Sequence, residues 1–272
     1  MLEVKNIKFK YKRSEELVLK DISFDIEKGD CLCILGPNGT GKTTLLKIIL
    51  SFFKPMNGSI YVDNQDLLKL SSRQRAKYIA YVSQSSNIVF PYTVLEVILM
   101  GRTPHLNIGA SMSTEDKEIA VNIMDDLGIS HMKNRYFQNL SGGERQMVMI
   151  ARALAQQSKY LIMDEPTAAL DYSNQIKILD TINKLSKSGY GIIMTSHFPD
   201  HAFISCNKAI LMKDGYIINS GNPEEVVNSE SLTKLYDAHV GVTEAKISDE
   251  MYTYFSKVCV PVFDNNIKYK EN

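Results

Sequence analysis

Apolar residues in this chain recur at two periods. In Leu2–Phe9 they alternate with polar ones: Leu2, Val4, Ile7 and Phe9 against Glu3, Lys5 and Lys8, with one slip near Asn6. Residues 18–26 continue the alternation through Leu19, Ile22, Phe24 and Ile26. A period of two predicts antiparallel strands with one wet face. Cys31–Leu35 and Tyr160–Met163 are continuous apolar runs, and residues 191–195 are another that closes on Thr195, which predicts parallel strands buried on both faces. Residues 79–83 read as a further strand, ending at Gln84.

The helical period appears between these runs. Residues 44–53 read as a helix closed by Pro55. Ser71-Ser72 opens a short basic helix with Arg73, Arg75 and Lys77. Thr93 and Glu96 have capping-box spacing and start a helix through Met100, with Gly101 as its stop and a loop over 102–109. Ser113 and Asp116 cap another, apolar at Ile119, Ile123, Met124 and Leu127 and ended by Gly128. Met147, Ile150, Ala151 and Leu154 mark one helix; Ile176, Leu179, Ile182 and Leu185 mark the next, ended near Gly189. Asn57-Gly58 and Asp63-Asn64 predict turns around a strand over 59–62, and Asp214-Gly215 predicts a hairpin turn. Pro223 starts a short helix, Val258, Val260 and Val262 suggest an added strand, and residues 268–272 read as frayed. The pattern predicts an α/β fold with a mixed, largely parallel core sheet, an antiparallel β subdomain, and a helical insert over about residues 86–156.

Composition changes this picture little. With 272 residues the chain has ample length for a packed core. Lys+Arg and Asp+Glu both number 31, so bulk charge does not point to nucleic acid. No signal-peptide apolar region stands at the N-terminus, and no apolar run approaches a membrane span, so a membrane role requires a partner chain. Cys31 and Cys33 share one strand face without C-x-x-C spacing and read as small buried hydrophobes in a reducing cytoplasm.

The candidate chemistry begins at Gly36-Pro37-Asn38-Gly39-Thr40-Gly41-Lys42-Thr43, which fits the phosphate-binding G-x-x-x-x-G-K-[ST] pattern between a strand and a helix. Glycines let backbone N–H groups wrap a polyphosphate, and the helix N-terminus adds partial positive charge. Lys42 can reach β- and γ-phosphates, and the Thr43 hydroxyl can ligate Mg²⁺. Asp164-Glu165 ends an apolar strand, where Asp164 can hold Mg²⁺ and Glu165 a water for attack. Leu140-Ser141-Gly142-Gly143-Glu144-Arg145-Gln146 has capping-box spacing. That accounts for the serine and glutamate but not for two glycines, which make a second phosphate-receptive helix start. Tyr11 reads either as a strand-end aromatic or as a platform for a base, and Gln84 taken alone reads as a solvated loop residue. His197 and His201 are four apart, but Pro199 between them and the missing H-E-x-x-H glutamate weigh against zinc.

Tyr11, the phosphate loop, Gln84, the Leu-Ser-Gly-Gly-Glu run, Asp164-Glu165, Leu170-Asp171 and His197 stand in one fixed order. Over about residues 1–240 the chain resembles the ATP-binding subunit of an ABC transporter. The resemblance implies a P-loop ATPase using ATP and Mg²⁺. Tyr11 would stack on adenine, and Gly36 through Thr44 would hold the phosphates. Thr43, Asp164 and Gln84 would hold the metal. Ser141, Gly142 and Gly143 would take the γ-phosphate of ATP held by a second protomer, with Asp171 across the same dimer. Lys42 would serve phosphoryl transfer, with Glu165 as base, Gln84 on the attacking water and His197 on the γ-phosphate. Ala169 departs from the serine often found in that position. The expected partners are a second copy, multi-span permease subunits and, indirectly, an extracytoplasmic binding protein, with the pair on the cytoplasmic membrane face. Residues 97–105 and 196–202 further resemble importers of iron–siderophore, haem or cobalamin-type chelates. Import of molybdate or tungstate, and a non-transport ABC ATPase, stand as alternatives. Residues 241–272 form an extension without an assigned role.

Overall fold

The computed structural model of the chain describes residues 1–84, 90–107, 109–248 and 253–263. The first alternating segments form β1 (Leu2–Phe9) and β2 (Leu19–Ile26), which pair antiparallel. With β4 (Asn57–Val62) and the short β5 (Gln65–Asp66) they make a four-stranded sheet in the order β2-β1-β4-β5. The continuous apolar runs form β3 (Cys31–Leu35), β6 (Ile79–Val82), β7 (Tyr160–Met163) and β8 (Gly191–Ser196). These strands are mutually parallel and join the hairpin β9 (Lys208–Lys213) and β10 (Tyr216–Gly221) in a six-stranded sheet, order β10-β9-β3-β8-β7-β6.

The period of two divides each core strand between two hydrophobic cores. Leu32 and Ile34 of β3, with Ile193 and Ile210, face a core shared with the antiparallel sheet and with α1 (Lys42–Ile49). Cys33 and Leu35, with Ile192, Met194 and Leu211, face the helical side. That side carries α3 (Val94–Leu99), α4 (Thr114–Asp126), α5 (Gly142–Ala155) and α6 (Tyr172–Lys187), following the small α2 (Ser72–Ala76). Capping boxes are formed at Ser71, Thr93, Ser113 and Ser141, and also at Asn228. The chain then adds α7 (Asp200–Ser205), α8 (Pro223–Val226) and α9 (Ser229–Tyr236), and ends in an antiparallel pair, β11 (Val240–Ser248) with β12 (Thr253–Pro261).

Several local expectations are corrected. The first helix spans 42–49 rather than 44–53, because Ser51 turns into the left-handed region at φ 57° and ends it before Pro55. Asn57-Gly58 is not a turn but the start of β4; a Cβ on Gly58 would sit 2.4 Å from the Lys5 carbonyl oxygen, where β1 and β4 slip register. The helix at Thr93 ends at Leu99 with Met100 as its cap, one residue short of the expected end, but Gly101 is not a left-handed stop. It lies in the 3₁₀ turn Met100–His105, which takes up part of the expected loop, and a Cβ there would lie 2.1 Å from the Arg152 carbonyl oxygen. Ile176 is half exposed, since α6 buries Ile178, Leu179 and Ile182 instead. Val258 and Val260 lie on β12 as expected, with Val262 just past its end, and the partner strand β11, which sets Val240 and Val242 against the core, was not expected. The first residues of the expected 86–156 insert and all of 268–272 lie outside the described residues.

One buried ion pair ties the insert together. The Arg102 Nε donates to Asp116 Oδ1 at 2.8 Å, and its Nη1 donates to the carbonyl of Ala155 and to Gln157 Oε1. Arg102 and Ser113 hold the Asp116 carboxyl down at about 2. Removing one partner of such a pair strands the other charge, so Arg102→Ala should destabilise the fold by about 3–5 kcal/mol in urea unfolding.

Candidate active site

The site forms where β3, β8 and β7 end side by side. β3 runs into the phosphate loop and then into α1, whose N-cap Gly41 has φ 99°. A Cβ on Gly41 would lie 2.7 Å from the Leu19 side chain, and one on Gly36 would lie 2.3 Å from the Met212 carbonyl oxygen. The loop is therefore pressed between β2 and β9, and only glycine fits at both edges. Lys42 is 5% exposed, and its ammonium donates to the carbonyls of Gly36 at 2.6 Å and Pro37 at 3.0 Å. Burial pulls Lys42 below the usual lysine range, while Glu165 and Asp164 pull the other way. Thr40 donates to the Pro37 carbonyl at 3.0 Å and keeps the loop curled.

The acids at the end of β7 meet this loop. Asp164 Oδ1 accepts from Thr43 at 3.2 Å and from Thr195 at 2.8 Å. Thr195 Oγ1 also accepts from the Glu165 backbone N–H at 2.9 Å. Glu165 stands in the left-handed region at φ 48°, which costs a non-glycine residue roughly 1–2 kcal/mol. Its carboxylate receives Gln84 Nε2 at 2.8 Å on one oxygen and pairs with His197 Nε2 through the other. Five expected residues thus converge through direct contacts: Thr43, Asp164, Glu165, Gln84 and His197.

Tyr11 joins the same cleft. Its hydroxyl bonds Thr44 Oγ1 at 2.8 Å, and its ring packs edge-on against Phe9 and Phe53. With Val18, Asn38, Gly39, Gly41, Lys42, Thr43, Thr44 and Glu165 it lines an open cavity of about 320 Å³. Tyr11 is 41% exposed, so both its readings survive: the ring is a strand-end aromatic with a face open toward the loop.

Ser141, Gly142, Gly143 and Asp171 do not line that cavity. Ser141 accepts from the Glu144 N–H, and Glu144 Oε2 accepts from the Ser141 N–H at 2.8 Å. Gly143 has a packing reason, since a Cβ there would lie 2.3 Å from Asn174. Asn174 in turn donates from its N–H and side chain to Asp171, which caps α6. His197 and His201 diverge: one turns to Glu165, while the other is buried with Nδ1 bonded to Ser196 Oγ at 2.8 Å. Among the described residues, no group of three or more His, Cys, Asp or Glu could hold a metal alone. Thr43, Asp164 and Gln84 supply oxygen donors that suit a hard cation also bound by phosphates.

Sequence reasoning missed Thr195 and Asn174. Thr195 is the last apolar-run residue of β8, and its hydroxyl at the sheet centre was the available signal. Asn174 carried none, because its role depends on α5 and α6 touching.

A largely parallel sheet whose central strand enters a glycine loop, with a strand ending in paired acids one strand away, defines a P-loop nucleoside triphosphatase. Residues 19–168 match the ABC transporter family, and the chain belongs to it; it binds nucleotide and hydrolyses ATP. A Helicobacter pylori protein named for iron chelatin transport is 36% identical, over 87% of this chain and 93% of its own. A molybdate import ATP-binding protein of Haemophilus influenzae is 33% identical over 98% of both chains. The solved structure of an inward-facing metal-chelate type ABC transporter superposes with a TM-score of 0.86 at 32% identity, covering 98% of this chain and 99% of that one.

His201 gives the fold an acid sensitivity. Burial depresses it to about 4, against a small opposing pull from Asp200. The native ring stays neutral while the unfolded chain takes up a proton below about 6.5, so stability is complete above that pH. Stability falls between pH 6.5 and 4 by about 3 kcal/mol. His201→Gln should flatten that slope in urea unfolding measured across this range.

Proposed function

We propose that this chain is the ATP-hydrolysing subunit of an importer, working as a symmetric pair against multi-span permease subunits on the cytoplasmic membrane face. The ATPase unit spans residues 1–240, and 241–272 form an extension. One observation carries the reading: a single carboxylate, Glu165, is held by Gln84 and His197 beside the phosphate loop. Among the described residues no helix is long and apolar enough to cross a membrane, which fits a peripheral subunit.

In this mechanism Gly36 to Thr44 wrap the phosphates of ATP with backbone N–H groups, and Tyr11 offers its ring to the base. Thr43, Asp164 and Gln84 would hold a Mg²⁺ ion, which would supply positive charge against the phosphates. Lys42 exchanges its carbonyl partners for phosphate oxygens. Glu165 accepts the proton of the attacking water, oriented by Gln84, and His197 reaches the γ-phosphate. Charge must be met from more than one side in phosphoryl transfer. Gly142 and Gly143, at the start of the 14-residue α5, keep N–H groups that make no described bond, since the capping box engages Ser141 and Glu144. They lie outside the cleft of their own chain, so a second copy brings them, Ser141 and Asp171 to its ATP in a two-fold arrangement.

The cargo is an iron, haem or cobalamin-type chelate, or the oxyanion molybdate or tungstate, delivered by an extracytoplasmic binding protein. The molybdate relative and the metal-chelate type transporter structure both match 98% of this chain, through the β11–β12 extension, so the extension goes with either cargo class.

Lys42→Ala should abolish tight ATP binding and hydrolysis; unchanged turnover would remove the phosphate loop from the mechanism. Glu165→Gln should retain ATP binding, lose turnover at least about 10²-fold, and double in solution mass when ATP is added. Uptake of labelled iron chelate and of labelled molybdate, compared in cells with and without Lys42→Ala, should separate the cargo classes. Loss of neither uptake would sink the importer reading.

A further inference from the structure

Three thiols meet behind the phosphate loop, and neither the mechanism nor the family motifs use them. Cys31 opens β3, and Cys33 lies two residues on, facing the same core. Cys206 caps the end of α7, nine residues after His197. The sulfurs of Cys31 and Cys206 are 3.1 Å apart. The backbones are fixed at that approach. Asn207 donates to the Cys31 carbonyl at 3.1 Å, and the Cys31 N–H donates to Asn207 Oδ1 at 2.8 Å. The next residues along, Leu32 and Lys208, are paired in the parallel β3–β9 ladder. Cys206 is the residue before Asn207, and the sulfur approach of 3.1 Å brings the two thiols close enough to bond with little backbone movement.

We propose that Cys31 and Cys206 form an oxidisable dithiol, closed to a disulfide by a low-molecular-weight disulfide such as oxidised glutathione, and that closure slows ATP hydrolysis. Cys206 is the partly exposed member and Cys31 the buried one, so Cys206 meets the oxidant first. Burial opposes charge on Cys206, but hydrogen bonds from Cys31, Cys33 and Ser205 favour its thiolate, the nucleophilic form. The Cys206 thiolate attacks one sulfur of oxidised glutathione, forming a mixed disulfide and releasing one glutathione thiolate. Cys31 then gives up its proton to the released thiolate, attacks the Cys206 sulfur, and expels the second glutathione. The two protein thiols are oxidised, and one glutathione disulfide is reduced to two thiols.

The consequence follows from position. α7 is short, and it follows directly on the residues carrying His197, which meets Glu165. The end of α7 is tied to β3 by reversible hydrogen bonds through Asn207. A covalent tie at Cys206 removes whatever freedom α7 and the His197 segment use during turnover.

The test uses the full-length protein, reduced and then incubated with oxidised glutathione. The expected product is one Cys31–Cys206 cross-link, read by peptide mass after alkylation of remaining thiols and reversed by dithiothreitol. Hydrolysis should fall at least about twofold on closure and recover on reduction. Cys206→Ala and Cys31→Ala should each hydrolyse ATP as the reduced parent does and keep that rate in oxidised glutathione. The proposal is overturned if all four thiols remain alkylatable, if a stable glutathione adduct forms in place of the cross-link, or if cross-linked protein turns over at the reduced rate. Hydrolysis by the reduced parent, measured first, keeps this outcome separate from the assignment as an ATPase.

Discussion

A buried ammonium sets the terms of this site. Lys42 is nearly inaccessible, and a cation so placed needs partners close by. The phosphate loop curls until the carbonyls of Gly36 and Pro37 reach it, which forces Gly36 against β9 and Gly41 against β2. The remaining balance comes from Asp164 and Glu165 on β7. They are within range because β8 alone separates β7 from β3 in the sheet. The intervening strand is used as well: Thr195 of β8 bonds the Asp164 carboxylate and the Glu165 backbone together. Strand order therefore assembles, at one sheet end, groups that lie more than a hundred positions apart in the chain.

How much of this could be read beforehand depends on whether the cause is local. Strands with a clean period of two, and helices opened by a serine or threonine with an acid or amide three residues on, form as expected because the signal and the structure share one segment. Gly58 and Gly101 mislead for the opposite reason. Each looks like chain punctuation, but each is glycine because another backbone passes within a Cβ radius. β11 was not anticipated because its pattern is short: only Val240 and Val242 alternate toward the core, and the polar stretch that follows is held as a strand by pairing with β12. The convergence of Thr43, Asp164, Glu165, Gln84 and His197 was anticipated only through their order along the chain, since no local property of Gln84 or His197 points to Glu165. Thr195 and Asn174 follow the same logic: their partners belong to other elements.

The two glycines of the Ser141 segment show that a packing reason and a binding reason can coexist. Gly143 is small because Asn174 lies against it. That contact does not engage the N–H groups of Gly142 and Gly143, which a helix start leaves without intrahelical partners. Close packing of α6 on the start of α5 fixes where those donors point, so the contact that explains the glycine also orients the proposed phosphate site.

The same contact connects the two halves of the proposed machine. Between Glu165 and the α6 cap at Asp171, the backbone enters the left-handed region at Glu165 and again at Ala169. Each departure is strained for a residue with a side chain. Bonds from Ala168 N–H to the Glu165 carbonyl and from Leu170 N–H to the Thr167 carbonyl hold the segment as successive tight turns. Asp171 then binds Asn174, and Asn174 rests on Gly143. A strained segment between two packed anchors has few ways to relax, and a change in the partners of Glu165 alters the turn that begins at its own carbonyl. The next fixed points along the chain are Asp171 and, through Asn174, the start of α5. Hydrolysis at one phosphate loop would therefore be felt at the donors proposed to face the other ATP of the pair through covalent geometry and one side-chain contact.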